Sequence, residues 1–188
     1  MSFNIAIDGP AGAGKSTIAK KIAKELGFVY VDTGAMYRAM ALYFLRSNIS
    51  NEDEQAISRA SENVEITIQY ENGEQQVFLN GENVSGEIRK EEVGNMASKT
   101  SGYGQVRKKL VELQQQLAKK ADVVMDGRDI GTVVLPDAQV KVYLTASVAT
   151  RAKRRYDELS EKGQECNLEK IEADIEQRDY QDMHRENS

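Results

Sequence analysis

The residues Gly9, Pro10, Ala11, Gly12, Ala13, Gly14, Lys15 and Ser16 follow the spacing G-x-x-x-x-G-K-[ST]. Such a loop curls so that successive backbone N–H groups point inward at phosphate oxygens. Lys15 supplies a cation that can follow the β- and γ-phosphates, and Ser16 offers a hydroxyl to Mg²⁺. Together with Thr17 these residues are expected to line a nucleoside triphosphate. The helix that follows aims its positive end at the same anion. A strand before the loop and a helix after it separate this reading from a glycine-rich turn that binds nothing. The loop alone does not choose between a kinase, a hydrolase and a switch. The N-x-x-D-type guanine signature N-K-x-D is absent from the sequence.

Two further segments bring charge to strand ends. Asp32-Thr33-Gly34-Ala35-Met36-Tyr37-Arg38 follows a short apolar run. Thr33 either caps the next helix or meets a ligand, and Arg38 either forms a solvated ion pair or reaches back toward a phosphate. Asp126-Gly127-Arg128-Asp129 follows another apolar run and puts two carboxylates and a guanidinium at one sheet edge. An acid here can hold Mg²⁺ through water or accept from a base amino group. Arg128 can fork onto a phosphate. Arg151, Arg154 and Arg155 share one helix face, and so do Arg178, Asp182 and Arg185. Each set is either a solvated charged face or, beside a phosphate loop, a source of cations for a transferred phosphoryl group.

These groups need elements to hold them. Residues 4–8 read as a buried strand. Ile18, Ala19, Ile22, Ala23 and Leu26 recur at helical spacing until Gly27. A second buried strand spans 28–31, and a helix spans 35–46. Val64, Ile66 and Ile68 alternate with polar residues, Asn72-Gly73 and Asn80-Gly81 signal hairpin turns, and residues 63–86 form a small antiparallel unit. A helix is expected over 104–120, buried strands over 123–125 and 140–144, an arginine-rich helix from Ser147, and a final helix led by Leu168, Ile171 and Ile175. Strand and helix alternate around one hairpin insertion. This pattern predicts an α/β fold with a central parallel sheet and helices on both faces.

The bulk numbers set limits. The 188 residues carry a formal net charge of −5, with 40% apolar and 29% charged residues. One domain is expected, and no nucleic-acid coat. Cys166 is the single cysteine, so no internal disulfide forms and a reducing, cytoplasmic location is expected. No apolar run reaches the ~20 residues of a membrane span. The N-terminus does not read as a signal peptide.

The segments IAIDGPAGAGKST (5–17), YVDTGAMYRA (30–39), DGRDIGTVVLPDA (126–138) and RDYQDMHRENS (178–188) resemble, taken together, the bacterial-type cytidylate kinase family of P-loop nucleoside monophosphate kinases. The resemblance covers essentially the whole chain. It implies a P-loop three-layer fold and transfer from ATP, with Mg²⁺, to CMP and dCMP. No covalent intermediate and no protein nucleophile are implied. Thr33, Ser98, Asp126, Asp129 and Asp182 would serve the cytidine side. Arg38, Arg107, Arg128, Arg178 and Arg185 would hold the acceptor or its phosphate. Arg151 and Arg155 would belong to a lid closing over ATP, and Lys15, Arg128, Arg151, Arg155 and Arg178 form the catalytic set. The implied parts are a core (1–40 and 104–146), an acceptor-binding insertion (about 41–103) and a lid (about 147–178), in a monomer. The family pattern continues with another strand and helix. With the chain ending at Ser188, four parallel strands are expected instead of five.

His184 reads as a surface residue, Cys166 has no assigned role, and Tyr37 and Tyr103 pack either near the acceptor or in the core. Two rivals stand beside this reading: a P-loop kinase with another small acceptor such as UMP, and a nucleotide-binding regulatory module without transfer activity.

Overall fold

The computed structural model describes residues 2–184. Its chain order is β1 (Asn4–Asp8), α1 (Lys15–Leu26), β2 (Val29–Asp32), α2 (Thr33–Arg46) and α3 (Glu54–Glu62), then β3 (Ile66–Glu71), β4 (Glu74–Leu79) and β5 (Glu82–Asn83). There follow α4 (Glu91–Thr100), α5 (Gly104–Lys120), β6 (Val123–Gly127), β7 (Val140–Tyr143), α6 (Val148–Glu161) and α7 (Leu168–Met183). A 3-10 turn at Glu87–Arg89 precedes α4, and one π-helical turn at Ile130–Val134 follows β6.

The main sheet is parallel, in the order β2-β6-β1-β7. Its two faces follow the side-chain period of two. Ile5, Ile7 and Val124 pack with Ala19 and Ala23 of α1 on one side. Ala6, Val123 and Met125 join α2, α4 and α5 in the larger core on the other. Phe44, Met36, Met40 and Leu110 are buried there. The expected parallel sheet with helices on both faces is thus present.

Two details depart from the sequence reading. Ile18 and Leu26 are exposed, because the narrow Ala19–Ala23 stripe carries the contact of α1 with the sheet. The strand expected to be buried over 140–144 is an exposed edge: among the described residues β7 pairs only with β1, and Val140 and Val142 are about two-fifths exposed.

The hairpin unit forms as the alternation predicts, with β3-β4-β5 antiparallel. Asn72 and Gly73 have φ of 53° and 79°, and Asn80 and Gly81 have 49° and 83°. These paired left-handed residues are what tight two-residue hairpin turns require. The unit docks on the free edge of β2. Gln75 Oε1 accepts from the Asp32 N–H at 2.8 Å, and the Tyr70 hydroxyl donates to the Tyr30 carbonyl.

Candidate active site

Register brings three carboxylates to one end of the sheet. Asp32 stands beside Asp126, and Asp8 beside Gly127. Ligands of open parallel sheets bind at this carboxyl end. The phosphate loop leaves β1 here.

Three loop glycines hold positive φ: 145° at Gly9, 74° at Gly12 and 95° at Gly14. Gly9 is the most constrained, since a Cβ there would lie 1.9 Å from the Leu144 carbonyl oxygen. Gly9→Ala is expected to cost about 3 kcal/mol, combining backbone strain with that collision. Thermal denaturation should show a melting temperature lower by roughly 6–12 °C. An unchanged melting temperature would mean that the loop does not hold this conformation.

Lys15 is 8% exposed, and its Nζ donates to the Pro10 carbonyl at 2.8 Å. Burial, and then the nearby Arg128 charge, lower its pKa to about 8 against the pull of Asp126, Asp182 and Asp8. That set of neighbours places Lys15 between the loop and the charged residues of the other segments. The Ser16 hydroxyl donates to Asp126 Oδ2 at 2.9 Å, and the Tyr30 hydroxyl to Asp126 Oδ1 at 2.9 Å. Burial, followed by the charge of Asp32, raises Asp126 to about 6. Asp126 therefore faces Ser16 and Lys15, on the loop side of the site.

Asp8 was not singled out by spacing, yet it organises the opposite wall. Its Oδ1 accepts from the Ile130 N–H at 2.6 Å and its Oδ2 from the Gly131 N–H at 2.8 Å. One carboxylate thus ties the end of β1 to the turn that presents Arg128 and Asp129. Burial moves its pKa upward.

Asp129 pairs with Arg107, which is 5% exposed on α5. Arg128 pairs with Asp182 of α7. Arg38 donates to the Ile88 carbonyl at 3.1 Å. It lies against Gly94, where a Cβ would sit 3.1 Å from Nη1. Burial draws the Arg38 pKa down, and the charge of Arg155 across the site adds to that effect. Thr33 does not cap α2; Asp32 does, accepting from the Ala35 N–H. The buried Thr33 hydroxyl donates instead to the Asp126 carbonyl at 2.8 Å.

The remaining residues are more spread out. Ser98 is half-buried on α4 and lines a cleft of about 550 Å³ with Tyr103, Tyr180 and His184. Arg178 is half-buried on α7. Arg155 is exposed and pairs with Glu158 at 3.1 Å, whereas Arg154 donates to the Gly12 carbonyl at 3.3 Å. Arg151 is buried, and Asp179, unassigned by the sequence reading, binds it. Arg185 lies outside the described residues.

A loop built for polyphosphate therefore faces a wall of paired arginines and aspartates. A cytidylate kinase family model matches residues 5–188. The chain belongs to the cytidylate kinase family. Cytidylate kinase of Lactobacillus johnsonii is 54% identical over 98% of the chain and 80% of its own length. That of Caldicellulosiruptor saccharolyticus is 53% identical over 98% of the chain and 81% of its length. That of Streptococcus sanguinis is 52% identical over 98% of the chain and 82% of its length. The chain thus spans about four-fifths of these cytidylate kinases. Among the described residues, no helix is long and apolar enough to cross a membrane.

Proposed function

We propose that the protein transfers the γ-phosphoryl group of ATP to the phosphate of CMP or dCMP, giving ADP and CDP or dCDP. The observation that carries this reading is the second charged wall: Arg107–Asp129 and Arg128–Asp182 stand opposite Lys15 and the Ser16–Asp126 pair. A hydrolase or switch needs no such acceptor side. Family membership supports nucleotide phosphorylation as the class of reaction.

In this reading an acceptor phosphate oxygen attacks the γ-phosphorus. The bond between that phosphorus and the β,γ-bridging oxygen breaks, and ADP leaves with the electron pair. The protein positions the reactants and neutralises charge. Glycine-loop N–H groups and Lys15 hold the donor phosphates. Arg128, Arg38 and Arg178 hold the acceptor phosphate, and the roles given to Arg107 and Arg185 are to assist in binding the acceptor. Asp129 and Asp182, with Ser98 and Thr33, serve the cytidine. A carboxylate accepting from the cytosine amino group rejects uracil, whose oxygen at that position cannot donate. Arg151 and Arg155 belong to the lid, whose closure excludes water. The same proposal includes the division into core, insertion and lid, a cytoplasmic location, and a monomer that uses small-molecule substrates.

Mg²⁺ fits the donor set. It prefers oxygen ligands and keeps water and substrate phosphates around it. Ser16 Oγ and the Asp126 carboxylate supply such oxygens beside the loop. Among the described residues no cluster of three or more His, Cys, Asp or Glu could hold a metal, so the phosphates would complete the coordination. The ion would supply positive charge to the phosphates during transfer.

A coupled assay of ADP release tests the reading. ADP should form only when CMP or dCMP is present, and EDTA should abolish it. Release at the same rate without an acceptor would indicate a hydrolase. Binding of ATP without ADP formation from any monophosphate would indicate a regulatory module.

A further inference from the structure

Helix α7 carries Arg178 and Asp182 toward the acceptor side, yet none of its described residues is fully buried. It packs chiefly against α6. A helix without an apolar anchor takes its position from polar contacts. Such contacts beyond its own turns, among the described residues, include Asp182 with Arg128 and Asp179 with Arg151.

Arg151 is 3% exposed and fully engaged. Its Nε donates to the Ala146 carbonyl at 2.9 Å. Its Nη1 donates to the Ala11 carbonyl at 3.2 Å and to Asp179 Oδ1 at 3.0 Å, and its Nη2 to Asp179 Oδ2. The side chain also covers the loop, since a Cβ on Gly12 would lie 3.5 Å from Arg151 Cβ. One guanidinium therefore joins the tip of the phosphate loop, the start of α6 and the body of α7. Its bidentate grip on a carboxylate fixes orientation as well as distance. Asp179 follows Arg178 directly and precedes Asp182 by one turn, so its position sets theirs.

We propose that Asp179 is a positioning residue that couples the two substrate sites: through Arg151 it sets α7 against the phosphate loop, so that a triphosphate in the loop fixes Arg178 and Asp182 for the acceptor. The inference rests on the donor and acceptor reading above. By linkage, each substrate then tightens the other by the same factor.

Calorimetric titration of CMP tests this, with and without a non-hydrolysable ATP analogue and Mg²⁺, on the wild type, Asp179→Asn and Asp179→Glu. The analogue should tighten CMP about tenfold in the wild type. In Asp179→Asn the factor should fall to about one, while affinity for CMP alone stays within about threefold. Asp179→Glu keeps the charge and should recover part of the coupling. A wild-type factor near one, or a retained factor in Asp179→Asn, would overturn the proposal. So would an equal loss of CMP affinity with and without the analogue, since Asp179 would then act on the acceptor alone. A melting temperature lower by more than about 5 °C in both variants would make Asp179 a stability residue and also overturn it. Failure of the wild type to bind CMP at all would instead refute the acceptor reading.

Discussion

Lys15→Ala is expected to lower kcat roughly a thousandfold, the scale of losing one preorganised donor at a developing charge. Lys15 is 8% exposed and rests on the Pro10 carbonyl, so it is already turned into the loop. Burial, and then the charge of Arg128, lower its pKa to about 8. On the proposed reading a triphosphate adds negative charge beside it, and the ammonium counts most where charge moves during transfer. Removing it relieves a buried cation beside Arg128, so the fold should not suffer. Saturating ATP and CMP, with a melting curve alongside, separate the two effects. A kcat near that of the wild type would contradict the role given to Lys15.

Asp129→Ala is expected to lower kcat/KM for CMP by about a thousandfold, which corresponds to about 4 kcal/mol. The KM for ATP should stay within about threefold. Two losses combine on the acceptor side. On the proposed reading the carboxylate no longer accepts from the cytosine, and Arg107, buried on α5, loses this ion pair. Breaking a buried ion pair by removing one member costs about 3–5 kcal/mol. Asp129→Asn keeps the shape and serves as the milder comparison. Steady-state kinetics with each substrate varied in turn decide the matter. Equal damage to ATP and CMP would point to a folding defect and not to an acceptor residue.

The sequence was most legible where one residue type has one physical use. Glycine at positive φ marks the phosphate loop, and Asn-Gly marks both hairpin turns. Alternation gave β3 and β4, and the parallel sheet followed from strands spaced by helices. Spacing failed where a partner is distant in the chain. Ile18 and Leu26 keep the helical period yet face outward, because the side of the sheet that α1 covers accepts only a narrow alanine stripe. The exposure of β7 depends on its lack of a second neighbouring strand among the described residues, which no local pattern records.

The site divides in the same way. Its charged segments were visible, but the pairing was not. Asp8, Tyr30 and Asp179 gain their meaning from Ile130, Asp126 and Arg151, which lie 122, 96 and 28 positions away. The one available signal for Asp8 was an acid closing an otherwise apolar strand. Asp179 had a comparable signal in its place between Arg178 and Asp182.

The central claim is that a cytosine-selective acceptor site stands opposite the phosphate loop. The most direct measurement is kcat/KM for CMP, dCMP, UMP and AMP under one set of ATP and Mg²⁺ concentrations. CMP and dCMP should lead, with UMP and AMP lower by at least about a hundredfold. Comparable values for UMP and CMP would contradict the account.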